Sequence, residues 1–307
     1  MPGQEPGPNS LLPWLLLLVA LFFVVGDLVI LGLWLGGMAR ERPLLARRWS
    51  IADLFLGLQA WLGFLIVVML ASALVLVAVG GLDRAGAKPS SIVVFYALVL
   101  PVMVWQQVAF VAVPLVVVRL KYGGTAADLG LTAPRRPAQL WALGLGLLIP
   151  LILVMDLLES VIRRLVADGV FPFAAQLEQL SREANALEFL NAARGQPVAL
   201  VLLVLIVGLV GPVAEEVFFR GFAYRAFKER FGVRGGVVLS ALLFALIHGN
   251  PIALVPIFVA GALLAWLYER TGSLAAPILL HCGNNLLSVL LYFLAPDFSI
   301  WERLLPR

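Results

Sequence analysis

Three short constellations in this 307-residue chain place residues able to do acid–base chemistry inside otherwise apolar sequence. The first is Glu215-Glu216-Val-Phe-Phe-Arg220, at the end of an apolar run that begins at Val198. The second is Phe244-Ala-Leu-Ile-His248 and the third His281-Cys-Gly-Asn-Asn285; His248 and His281 are the only histidines. A charged side chain at a bilayer centre costs about 2.5–3.5 kcal/mol, so such groups must pair, line a wet cavity or do chemistry. Glu216 and Arg220 stand four apart, acid first, the order that favours an ion pair along a helix. Glu215 and Glu216 diverge by about 100°, so they are not expected to form a face-sharing carboxylate pair, and Glu215 is left without a local partner. That acid, helped by His248, could deprotonate a water. His281 and Asn285 could donate hydrogen bonds to the oxyanion of a peptide carbonyl, a task worth about 10²–10³ in rate for one donor. The chemistry is hydrolysis.

Other assignments compete. Two histidines and a carboxylate, Glu215, His248 and His281, could hold Zn²⁺ with one position open, but there is no H-E-x-x-H and Asn285 is an uncommon zinc ligand; no metal is the favoured reading. Ser240 and Ser288 read as ordinary helix residues. Cys282 is the single cysteine, which excludes an intrachain disulfide, and beside His281 it reads as a small apolar filler rather than a nucleophile. Taken singly, a buried His or Asn is more often glue between helices than a catalyst. Taken together, two histidines, an asparagine and an acid pair with its own arginine are too many expensive groups for packing alone.

These residues must be positioned by helices in a membrane. The chain is 62% hydrophobic and only 13% charged, with mean hydropathy +1.01, against about 25% charged in soluble domains. The fold class is therefore all-α: a polytopic membrane bundle of about eight spans, at 11–37, 53–80, 91–118, 138–158, 198–219, 236–252, 253–269 and 274–295. Asp27 lies in the first of these, which lacks the basic flank and cleavage site of a signal peptide. Residues 1–10 are Pro/Gly-rich and expected to be disordered, and 296–307 form a tail. Nothing resembles a nucleic-acid footprint; the expected partners are the lipid bilayer and a membrane-associated protein or peptide substrate. Alternate loops (38–52, 119–137, 220–235 and 270–273) hold 14 of the 22 Lys and Arg residues, which puts both termini outside the cytoplasm. In the 159–197 connection, Phe173, Leu177, Leu180, Ala184 and Leu187 recur at helical spacing, a pattern expected for a helix lying on the outer membrane surface. Pro212 is expected to release the carbonyl of Gly208 just before the acids. If the chain turns back near Gly232, Glu215 and His248 fall at nearly the same depth.

The three motifs resemble those of the CPBP family, the CAAX-processing and bacteriocin-protection (Abi, type II CAAX prenyl endopeptidase) proteins: E-E-x-x-x-R, F-x-x-x-H and H-x-x-x-N/D. Asp128-Leu-Gly-Leu131 also looks like a family segment. The resemblance covers roughly 119–295 and leaves the spans within 11–118 without an assigned role. It implies an intramembrane endopeptidase, with Glu215 and His248 activating water, His281 and Asn285 forming the oxyanion site, and Glu216 pairing with Arg220. Phe244 supports them. Two other readings remain: a non-catalytic immunity or scaffold protein of the same fold, and a proton-coupled transporter, against which no inverted repeat is found.

Overall fold

A computed structural model describes residues 49–78, 94–133, 137–171, 173–183 and 195–294. The expected first span with Asp27, the segment 1–10 and the tail 296–307 lie outside the described residues, as do Ala184 and Leu187. Among the described residues the chain is helical, and six stretches are long and apolar enough to cross a membrane. They are α1 (Ile51–Ala78), α2 (Phe95–Lys121), α3 (Pro137–Ala167), a 51-residue stretch Pro197–Ile247, α7 (Leu254–Thr271) and α8 (Ala275–Leu294). A shorter helix, α4 (Ala174–Glu183), lies between α3 and the long stretch. The polytopic helical bundle is as read from composition.

The long stretch is two rods. Gly232 has φ 71° and ψ −179°, a conformation open to glycine and strained for other residues. A Cβ at Gly236 would lie 3.1 Å from Lys228 Cα and 2.9 Å from the Tyr224 ring, so the chain has folded back on itself. We label the rods α5 (197–231) and α6 (233–247). The loop expected over 220–235 is thus a one-residue reversal at the end of a helix that continues well past Arg220. Arg220 is itself buried inside that helix and is not a loop charge.

The described residues divide into two compact units, those within 55–109 and those within 49–54 and 110–294. In the first, Phe64 and Trp105 meet edge to face at 5.5 Å. The second contains all three motifs. Its core joins α3, α7 and α8 through Leu151, Leu264, Leu267 and Leu280. Ser50 and Asp53 cap the start of α1 reciprocally, and Asp53 also takes Lys121 Nζ at 2.6 Å and the Tyr122 hydroxyl at 2.5 Å. Burial and the Asp53 carboxylate push the Tyr122 phenol above its ordinary pKa. Trp49 stacks on Phe222 and donates its indole N–H to the Phe222 carbonyl at 2.8 Å. The Asp128–Leu131 segment rests against α5 at Gly221, where a Cβ would fall 2.8 Å from the Leu129 carbonyl oxygen.

α4 turns Leu177 and Ser181 inward, whereas Phe173 and Leu180 are each 53% exposed. The expected apolar face is therefore split. Ser181 sets the roll: its hydroxyl donates to Asn250 Oδ1 at 2.6 Å, and that oxygen also accepts the N–H of Ala253 at 3.0 Å.

Candidate active site

The acids stand on α5 where the helix is widened on either side of them, over Ile206–Val210 and Val217–Tyr224. Such i→i+5 turns recur at functional sites. Glu216 is fully buried and pairs with Arg220 at 2.7 Å. Arg220 also donates to the Gly261 carbonyl at 3.1 Å and lies 4.4 Å from the Phe244 ring centroid. Gly261 makes that possible, since a Cβ there would crowd Ala241 and Phe244 at 3.1–3.2 Å. A buried guanidinium thus has a carboxylate, a carbonyl and an aromatic face in place of water.

His281, on α8, enters the fork between the two acids. Its Nδ1 is 2.8 Å from Glu216 Oε1 and its Nε2 is 3.7 Å from Glu215 Oε2. The adjacent carboxylates do diverge, as helix geometry requires, yet one imidazole meets both, one at each nitrogen. Sequence reasoning assigned Glu216 to Arg220 alone and left Glu215 unpartnered. The contact comes from a helix some 65 residues away, and no local pattern signals it. The Arg220-paired carboxylate accepts, so Nδ1 carries the hydrogen and the Nε2 of a neutral ring presents a lone pair toward Glu215. With a hydrogen on Nε2 instead, the ring would face that carboxylate as a donor.

His248 ends α6. Its Nδ1 lies 2.7 Å from the Phe244 carbonyl, which can only accept, so this nitrogen too carries the hydrogen and Nε2 is the free basic atom. Phe244 connects the two histidines, meeting His248 at 4.6 Å and His281 at 5.7 Å between centroids, both edge to face. Asn285 donates to the Val207 carbonyl of α5 at 2.9 Å and accepts from Asn284 at 3.3 Å. One of its amide hydrogens is therefore committed to the helix interface. Cys282 Sγ sits 3.9 Å from the Leu209 carbonyl, a packing contact. Glu215, Glu216, Arg220, Phe244, His248 and His281 are thus brought together, with Asn285 one turn along α8.

Zinc would need three ligands converging on one point. Among the described residues no group of three His, Cys, Asp or Glu side chains is so arranged, and Glu215, His248 and His281 do not form such a set. Sequence reasoning missed two participants, the Gly261 carbonyl and the Asn250 anchor two residues past His248. A glycine in an apolar helix and an Asn-Pro turn were their only signals.

Residues 197–287 match the family model described as Type II CAAX prenyl endopeptidase Rce1-like. A similar protein of Bacillus subtilis (strain 168), named "Putative membrane peptidase YdiL", is 28% identical over 93 residues, covering 30% of this chain and 38% of that protein. An "Uncharacterized 24.3 kDa protein" of Escherichia coli is 30% identical over 95 residues, covering 29% of this chain and 44% of that one. The chain thus matches less than half the length of each of these relatives. No solved structure matches. The resemblance read from the three motifs is borne out over the helices that carry them.

Proposed function

We propose, from this match to the Rce1-like endopeptidases, that the chain is a multi-pass membrane peptidase that cleaves a peptide bond by adding water without a metal. The single observation that carries the reading is the placement of His281 between Glu216 and Glu215, with Phe244 touching both histidines. Glu215, 15% exposed where Glu216 is sealed, is the carboxylate that water can reach. It takes a proton from water, with His248 Nε2 as second acceptor, and the hydroxide adds to the carbonyl carbon. His281, held through Nδ1 by Glu216, presents protonated Nε2 to the oxyanion, and the remaining amide hydrogen of Asn285 is the second donor. The proton on Glu215 then passes to the leaving amine. Glu216 and Arg220 position His281 and touch no substrate.

The substrate proposed is a membrane-associated protein, of the prenylated C-terminal kind that the family's description names. The two bacterial relatives support a bacterial cell membrane, and the bias of basic residues supports termini outside the cytoplasm. The test compares native membranes carrying wild type and Glu215→Gln. Gln is isosteric but cannot act as a base, so a specific uncut protein should accumulate in the variant. Identical membrane proteomes, with both forms equally expressed, would refute the peptidase reading and favour the non-catalytic scaffold.

A further inference from the structure

A helix carbonyl is ordinarily taken by the N–H four residues on, or five on where the helix is widened. At Val207 both donors are missing. The N–H of Gly211 goes to Ile206, in the widened register of Ile206–Val210. Position 212 is proline, which has no N–H to give. In this register Pro212 leaves the Val207 carbonyl without a main-chain donor either four or five residues on. Asn285 donates to it from α8 at 2.9 Å. Its other polar atom is fixed as well, since Oδ1 accepts from Asn284 at 3.3 Å. Gly208 lets α8 approach this turn directly, because a Cβ there would fall 2.5 Å from Leu286 Cδ2.

We infer that Pro212 is a positioning residue that works through Asn285: by withholding the main-chain donor from Val207, it makes that carbonyl the clamp that orients the Asn285 amide where α8 meets α5. A stranded carbonyl in an apolar segment binds a side-chain donor firmly, because no water competes for it. The proline three residues before Glu215 and the asparagine one turn after His281 thereby act as one device. The clamp itself is independent of the peptidase reading; its effect on turnover rests on that reading.

The test is a double-mutant cycle on the purified full-length protein: Pro212→Ala, Asn285→Ala and both together. With Ala at 212, Val207 receives a main-chain donor in either register, from residue 212 if the helix stays widened or from Gly211 if it tightens. Asn285→Ala should lower the unfolding midpoint by about 3–6 °C when Pro212 is present. Beside Pro212→Ala it should lower it by less than half as much. Equal losses in the two backgrounds would overturn the inference. Should Asn285→Ala fold only in the Pro212→Ala background, that rescue establishes the same dependence; should it fold in neither, Asn285→Ser, too short to reach Val207, repeats the comparison. On the protein that accumulates with Glu215→Gln, Pro212→Ala should reduce kcat by about tenfold with KM unchanged, short of the 10²–10³ for outright loss of an oxyanion donor. If wild type cleaves nothing, the peptidase reading fails while the unfolding cycle still decides the clamp.

Discussion

Replacing Arg220 by methionine should unfold this protein early, and replacing Glu216 as well should restore its stability without restoring its activity. Arg220 and Glu216 are 1% and 0% exposed, and their contact is 2.7 Å. Removing one member of a buried pair costs about 3–5 kcal/mol, because the other charge stays behind without compensation. The charge left here is that of Glu216, whose Oε1 would keep only the His281 Nδ1 hydrogen and whose Oε2 meets no donor among the described residues. Gly261 also loses its donor, worth about 1 kcal/mol, and Phe244 loses the cation on its face. At roughly 2–4 °C for each kcal/mol, the unfolding midpoint of Arg220→Met should fall by at least about 6 °C. Glu216→Leu combined with Arg220→Met removes both charges and fills similar volume, so its midpoint should return to within a few degrees of wild type. His281 would then have nothing to hold its Nδ1 hydrogen, and turnover should remain lost. The assay is the midpoint of helix loss in detergent, read beside cleavage of the protein that accumulates with Glu215→Gln. A midpoint for Arg220→Met within about 2–4 °C of wild type, the roughly 1 kcal/mol of an exposed pair, would refute the buried-charge argument. Wild-type turnover in the double variant would refute the positioning of His281 by Glu216.

Two other substitutions test the frame around the site. Gly221→Ala should destabilise by about 1–3 kcal/mol, because the added methyl meets a main-chain oxygen, that of Leu129, which cannot swing away; an unchanged midpoint would show that α5 and the 126–130 turn separate freely. Gly232→Ala should cost about 1–3 kcal/mol from its φ of 71° and ψ of −179° alone, there being open space for the methyl; a neutral result would mean the α5–α6 reversal adopts another backbone path.

Much of the fold was legible because a bilayer permits few solutions. Apolar runs of span length must be helices there, so the spans from residue 51 onward could be located by counting. The Glu216–Arg220 pair was legible for the same kind of reason, since i,i+4 neighbours share a face whatever the helix packs against. Arg220 was nevertheless counted as a loop charge. Phe222, Tyr224 and Ala226 carry the apolar character past it, and only packing reveals that this part of α5 is buried. On α4, the apolar spacing suggested one face, whereas the structure ties Ser181 to Asn250 and leaves Phe173 and Leu180 exposed, a long-range bond that no local spacing records.

The sequence by itself determined which residues are expensive to keep in a membrane, and that three separate helices hold them. Tertiary structure alone decided what each one touches. Whether Glu215 and Glu216 can serve one imidazole depends on where α8 sits, and Gly208 leaves room there for Leu286 of α8. That Val207 is left without a main-chain donor depends on a helix register set by five-residue turns rather than four, which no periodicity in the sequence records. Local propensity fixes dihedral angles to within a class; the partner of a side chain from a distant helix is fixed by how closely two surfaces approach, and that is a property of both at once.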